Sequence, residues 1–537
     1  MKKRKNGNLK NKKQMLIIIA VISIMVFTCV VLQAYIEGYF GDGKGKNTKV
    51  VNENSVQKKT NRTNVKPAKK PGKKKNTSVK KKKKSSKKKP KKKITHIAAN
   101  PEGSKPIRVL ITNSDFSDMF HNSIKITSSK SFYVKINNQT KTYPAGKKIE
   151  FKAAGKKLKG KKIVIGSYSG GRVKVLSIKR LEGHPSYRGT MSIKYKSKGL
   201  ILTNTLPVEQ YLYAVIPSEM STGNKIEALK AQAVCARSYA YNQMKADKYE
   251  EYGADVDDSV ACQVYNNIPE NEKSRKAVDL TFGDVMKKSG NVITAYYFST
   301  SWGYTADGQD VWNTPSQISY LSSRFQITQS SKRKTGIRGY DLSNESTFRN
   351  FISNESCKTY DSSEEWYRWS VKIKEKSLRN RIDSALSSCY LSNNENVLTK
   401  TKSGKYKKSS AFKTGKITDI RISKREKSGM ASQIIITGSV NTYKVNNQYN
   451  IRKVLAPVYE TIKRKYGDSM SGYFMLPSAA FYIDKTSGAF NITGGGFGHG
   501  TGMSQSGAGN MAKQENDYRQ ILHHYFSGVK IVTLKEY

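Results

Sequence analysis

The chain has 537 residues and a formal net charge of +57, from 97 Lys+Arg against 40 Asp+Glu. That length is enough for two to four average domains, and the folded part shares the basic charge. Five cysteines with no CxxC pair exclude a disulfide ladder or a four-cysteine metal knuckle.

The charge is uneven. About 30 basic and about 3 acidic residues precede Ile94, so roughly +30 remains on the rest of the chain. Residues 1–14 form a basic tail. Met15 to Leu32 then runs for about 18 residues without a formal charge, near the minimum for a bilayer crossing. The spacing predicts a transmembrane anchor over 15–36 with the basic tail in the cytoplasm, because lysines and arginines accumulate on that side. A cleaved signal peptide is the alternative, but the apolar core is long for one and no small-x-small site follows it. Residues 37–104 have almost no apolar content and carry runs such as Lys80 to Lys84. Such a segment cannot bury enough surface to fold and reads as a disordered tether. Outside the cell the polyanions within its reach are anionic wall polymers and lipid headgroups, not nucleic acid.

From Ile107 to Leu202 short runs alternate apolar and polar residues, among them Ile107 to Ile111, Phe132 to Ile136, Ile163 to Ile165 and Gly199 to Leu202. These predict strands. A helix is predicted next, opened by an Asn224 cap with Glu227 three residues on. Ile226, Leu229, Ala233, Ala236 and Ala240 hold its three- and four-residue spacing as far as Ala246. Val292 to Ser301 reads as a buried strand from its β-branched and aromatic content. Lys332 to Lys413 is polar, carries Trp366 and Trp369, and reads as a variable insert; Cys357 and Cys389 within it are candidates for a bridge. Ile417 to Ile422 and Gln433 to Ile436 return to strand character. Ile451 to Tyr466 and Tyr518 to Phe526 read as helices. The fold class is α+β, in one domain over 105–537.

The densest motif is Gly496-Phe-Gly-His-Gly-Thr-Gly-Met-Ser-Gln-Ser-Gly-Ala508. Glycine at this density lets backbone approach a ligand closely. His499, Ser504 and Gln505 are its candidate ligand contacts, and a tight structural turn is the plain alternative.

Several blocks together resemble the stage II sporulation protein D (SpoIID) family, which also holds amidase enhancers. They are Asn204 to Met220, Glu227 to Ala240, Cys262-Gln-Val-Tyr265, Ala295 to Ser299 with Gly303, and the glycine motif. Order and spacing fit from about Ile107 to Val532. The resemblance implies a peptidoglycan lytic transglycosylase that cuts between N-acetylmuramic acid and N-acetylglucosamine in peptide-stripped strands and leaves 1,6-anhydro ends. It implies Glu219 as the catalytic acid and base. A carboxyl after the apolar run Tyr213 to Pro217 suits that role, since apolar surroundings raise a carboxyl pKa. One carboxyl suffices because the sugar's own 6-hydroxyl, not an activated water, attacks the anomeric carbon; ordinary glycosidases need two.

Tyr297 and Ser299 would face the glycine motif across a sugar groove. Arg237 is a candidate for the free lactyl carboxylate of stripped strands, with a structural ion pair as its alternative. Glu209 reads as structural. Some members bind zinc through His and Cys, but Cys262 has no nearby second ligand, so no metal or other cofactor is expected. Phe497 and Ser506 depart from the family pattern. A non-catalytic amidase enhancer or wall-binding scaffold is therefore the rival reading, with a cell-wall amidase or sporulation protein as partner.

Overall fold

The computed structural model describes residues 104–354 and 358–534. The predicted tail, anchor and tether, and Cys357, lie outside the described residues. Among the described residues no helix is long and apolar enough to cross a membrane.

The first half is a β-sandwich. Its strands are β1 (Pro106–Ile111), β2 (Ser123–Ser128), β3 (Phe132–Ile136), β4 (Gln139–Tyr143), β5 (Ile149–Lys152), β6 (Ile163–Ser167), β7 (Val173–Val175), β8 (Ser186–Tyr187), β9 (Thr190–Lys196), β10 (Gly199–Pro207) and β11 (Val256–Asp257). The larger sheet has the order β11-β1-β10-β9-β6-β3-β4, and the smaller β5-β2-β7-β8. Period-two burial drives both: Ile124 and Ile126 of β2 face Phe132 and Val134 of β3 within one core.

Two helices follow directly. The first, α1 (Val208–Glu219), contains Pro217 in its last turn. Proline has no N–H to give to the carbonyl four residues back. That carbonyl, of Tyr213, accepts instead from Ser274 Oγ at 3.3 Å. The second, α2 (Ile226–Gln243), is the long helix expected after Glu219. Its start differs from expectation: Lys225 is the cap residue and makes no side-chain cap bond, while Asn224 Nδ2 donates to Ser221 O. Glu227 instead pairs with Lys230 and accepts from Tyr518 N.

The stretch expected as a continuous strand from Val292 is two short pieces, Asn291–Val292 and Tyr297–Phe298. It leaves one sheet and joins another. Tyr297–Phe298 pairs in parallel with Met503–Ser504 of the glycine motif.

Lys332 to Lys413 supplies part of a second folded core. Trp366 and Trp369 are both about 2% exposed and belong to a second hydrophobic core. That core is built on a four-stranded sheet (Trp369–Lys374 beside Ala489–Gly494) and a five-stranded sheet, covered by the helix Glu375–Ser392. Cys389 is buried there as a free thiol. The helix expected over Ile451 to Tyr466 is only Gln448–Val454. Pro457 cannot continue it, and a short strand, Lys463–Arg464, follows. The last helix, Tyr518–Tyr525, is capped by Asp517 and Gln520 reciprocally.

Candidate active site

The two cores meet at a cleft of about 630 Å³. One wall comes from α1, α2 and the Tyr296–Ser299 segment, the other from Gln448–Arg452, Tyr473–Met475 and the glycine motif.

Glu219 ends α1 at the cleft. Its Oε1 accepts from the Val264 backbone at 2.7 Å. Burial raises its carboxyl pKa to about 7, against lowering by the Val264 bond and by a bond from the Tyr297 hydroxyl. A chain of hydrogen bonds stands behind that hydroxyl. Tyr211 donates to Gln263 Oε1 (3.2 Å), and Gln263 Nε2 donates to the Tyr297 oxygen (3.1 Å). The Tyr297 oxygen is thereby occupied as an acceptor, and its proton is left for Glu219.

Gln505 also lines the cleft, but its amide serves the protein: Nε2 donates to the Glu219 backbone carbonyl at 2.9 Å. His499 lies among Tyr296, Phe298 and Trp312, with ring centroids 5.2 to 6.0 Å away. Burial first, then the nearby Arg452 charge, lowers its pKa to about 3, so the ring is neutral. Its Nδ1 accepts from Thr501 N at 3.2 Å, which puts the ring proton on Nε2. Ser299 is on the cleft wall.

Two expected contacts are not in the cleft. Arg237 is fully buried and grips Glu209 through two bonds of 2.7 and 2.6 Å. Its guanidinium is committed to that pair and to the carbonyls of Asp284 and Val278, so the structural alternative holds. Ser504 is also fully buried; its hydroxyl bonds Asp361 and caps the helix Gln505–Lys513.

Asp361 was not singled out by the sequence. It accepts from Ser301 N (3.0 Å), Ser301 Oγ (2.7 Å) and Ser504 Oγ, tying the second core to the glycine motif. Burial raises its pKa to about 6. Lys248 and Arg452 are the cations on the cleft lining, and Glu219 is its one carboxylate. Trp312, 38% exposed, adds an aromatic face against Tyr296. None of these carried a local sequence signal, since each is defined by what folds beside it.

The glycine motif has left-handed backbone at alternate positions, Gly496, Gly498, Gly500 and Gly502. A Cβ at Gly500 would sit 2.6 Å from the Trp302 ring, and one at Gly502 would sit 2.0 Å from Tyr296 O. The glycines seat the loop against the Tyr296–Trp302 segment, which brings His499 beside Tyr296 and Phe298 where the two walls meet.

A family model described as Stage II sporulation protein, SpoIID, matches residues 196–287, which hold Glu219, α2 and Gln263. A second, described as a domain of unknown function (DUF8618), matches residues 391–502. The amidase enhancer of Bacillus subtilis (strain 168) is 28% identical over 330 residues, covering 60% of this chain and 40% of that protein. The stage II sporulation protein D of the same organism is 26% identical over 340 residues, covering 61% of this chain and 74% of that protein. An uncharacterized protein of Brachyspira hyodysenteriae is 28% identical over 354 residues, 66% of this chain and 73% of its own. Residues 196–287 thus carry a stage II sporulation protein D domain, and 61% of the chain is similar to the stage II sporulation protein D of Bacillus subtilis. The chain spans less than half of the amidase enhancer it matches.

Proposed function

We propose that the chain acts on the bacterial cell wall as a lytic transglycosylase of peptide-stripped glycan strands. The observation that carries this reading is Glu219, a carboxyl raised to about pH 7 at the base of a long aromatic cleft, with Tyr297 hydrogen-bonded to it. At neutral pH a substantial fraction of Glu219 is protonated and able to donate to a glycosidic oxygen. The carboxylate left behind then takes the proton of the sugar 6-hydroxyl as that oxygen closes on the anomeric carbon. The glycosidic bond breaks, a 1,6-anhydro bond forms, and Glu219 ends protonated as it began.

Lys248, exposed on the cleft lining, in place of Arg237, is the cation that favours a strand with free lactyl carboxylates; Arg452 is buried and bonded to the carbonyls of Leu476 and Pro477. Trp312 and Tyr296 offer apolar faces to sugar rings. His499, neutral, accepting at Nδ1 from Thr501 N and bonded to the Tyr297 backbone, positions the glycine motif beside Tyr297 and is not a proton carrier. In this reading residues 15–36 anchor the chain in the cell membrane, with the lysine tether and the folded domain outside.

A second reading, enhancement of a separate cell-wall amidase without catalysis, is favoured by the name of the Bacillus subtilis amidase enhancer. Mass spectrometry of peptide-stripped and intact glycan after incubation, wild type beside Glu219→Gln, separates the two. Anhydro ends from wild type alone support the enzyme. No anhydro product from either glycan leaves the enhancer reading. Equal product from both proteins removes Glu219 from the reaction.

A further inference from the structure

Between His121 and Arg180 the chain holds fourteen lysines and two arginines against one acid, Glu150. The two arginines are turned to acidic partners: Arg180 is buried on Asp258 at 2.5 Å, and Arg172 pairs with Glu270. The fourteen lysines are all exposed.

The smaller sheet gathers some of them on one face. In β2, Ile124 and Ile126 point into the core and Lys125 points out. The register sets Lys125 opposite Glu150, Ser123 opposite Lys152 and Thr127 opposite Lys174. Residues directly opposite in a ladder share a face, so Lys125, Lys152 and Lys174 project together into solvent. The turn after β5 adds Lys156, Lys157 and Lys159, all exposed. Glu150 is the one acid here, and Lys152 stands 3.7 Å from it. None of these six lysines lines the cleft.

We infer that this outer face of the smaller sheet, with the turn after β5, is a docking surface for a phosphodiester polyanion of the cell envelope, separate from both the tether and the cleft. Charge complementarity favours that occupant. The face offers ammonium groups and no arginine fork, and lysine meets phosphate as a point charge, so the surface reads charge density and not the planar geometry of a single group. Densely spaced point charges on a rigid sheet suit a flexible polymer with a phosphate in every repeat, bound chiefly by counterion release.

The test uses the full chain with every lysine and arginine from Lys44 to Lys93 changed to glutamine, so that the tether contributes no cation to the binding. The probe is linear poly(glycerol phosphate), titrated at several salt concentrations. Changing Lys125, Lys152, Lys156, Lys157, Lys159 and Lys174 to glutamine is expected to weaken binding at least tenfold. It should also flatten the slope of log affinity against log salt by about 4, at roughly 0.7 per lost contact. The matching six-arginine variant should keep the affinity, and both variants should melt as the parent does. Unchanged affinity and slope in the glutamine variant would overturn the proposal. So would loss of binding in a folded arginine variant, or equal binding of a carboxylate polymer of matched charge spacing.

Discussion

The side-chain amide of Gln505 donates to the backbone carbonyl of Glu219 at 2.9 Å, across 286 residues of sequence. The glycine motif therefore reaches the catalytic candidate through its backbone and not through its carboxyl. Gln505→Ala would leave that carbonyl without its donor and free the last turn of α1. The expected result is a loss of about tenfold in kcat on stripped glycan with KM little changed, since a small misplacement of a reacting group is costly to rate. Gln505→Glu, whose carboxylate cannot donate, should be at least as damaging. Steady-state kinetics on the two variants checks this.

Tyr297 holds the Glu219 pKa down by donating to its carboxyl. Tyr297→Phe keeps the ring and removes the proton, so the Glu219 pKa should rise further above about 7. A catalytic acid works while protonated, so activity falls as pH rises through its pKa. The alkaline limb of the pH–kcat/KM profile should therefore move to higher pH in the variant, while the maximum rate drops as orientation is lost. A limb at unchanged pH would show that Tyr297 does not couple to the titrating group.

Arg237 and Glu209 form a fully buried pair. Removing one partner leaves the other charge without its counterion, at a cost of about 3–5 kcal/mol. Arg237→Met should lower stability by that order in denaturant melts. Affinity of the folded fraction for peptide-stripped glycan, which carries the lactyl carboxylates, should stay at the wild-type value. A selective loss of affinity with unchanged stability would return Arg237 to the cleft.

The strands of the first sandwich and α2 were legible because each follows from a local period of two or 3.6 residues. Glu219 was legible through the family motif and its apolar approach. The second core was not: its polar, lysine-rich sequence hid Trp366, Trp369 and Asp361, whose burial depends on strands from as far as Ala489–Gly494. Arg237 was misread for a similar reason, because its helix spacing says nothing of Glu209 one helix back. Ser504 stood inside a ligand-like motif, yet its hydroxyl belongs to Asp361. Non-local partners decided all five residues.

Asp361 joins the second core to the glycine motif through Ser301 and Ser504. Asp361→Ala removes the acceptor of three hydrogen bonds in a buried place, with an expected cost on the order of 2–4 kcal/mol. The loosened Ser504 should carry Gln505 with it, so kcat should fall in parallel with that of Gln505→Ala. Asp361→Asn, which keeps one acceptor oxygen, should lie between the two. Melting curves and kinetics on the same preparations separate the stability effect from the rate effect.

Glu219 itself links stability to pH. Its carboxyl pKa is 4.5 ordinarily and about 7 in the folded chain. Between those values the folded state holds a proton that the unfolded state has released, so the contribution of Glu219 is fully present below about pH 4.5 and is lost as pH rises through about 7. Glu219→Gln keeps the shape and the bond from Val264 N but cannot ionise. Its stability advantage over wild type should be near zero at pH 4.5 and should grow through pH 6. Above pH 7.5 it should level off on the order of 3 kcal/mol. Denaturant melts of the two proteins at four pH values measure this difference. Groups common to both, such as the buried neutral His499, cancel in it. A difference that stays flat from pH 4.5 to 8 would mean that Glu219 ionises in the fold as readily as in water, and the carboxyl would then lack the proton that the proposed chemistry requires at neutral pH.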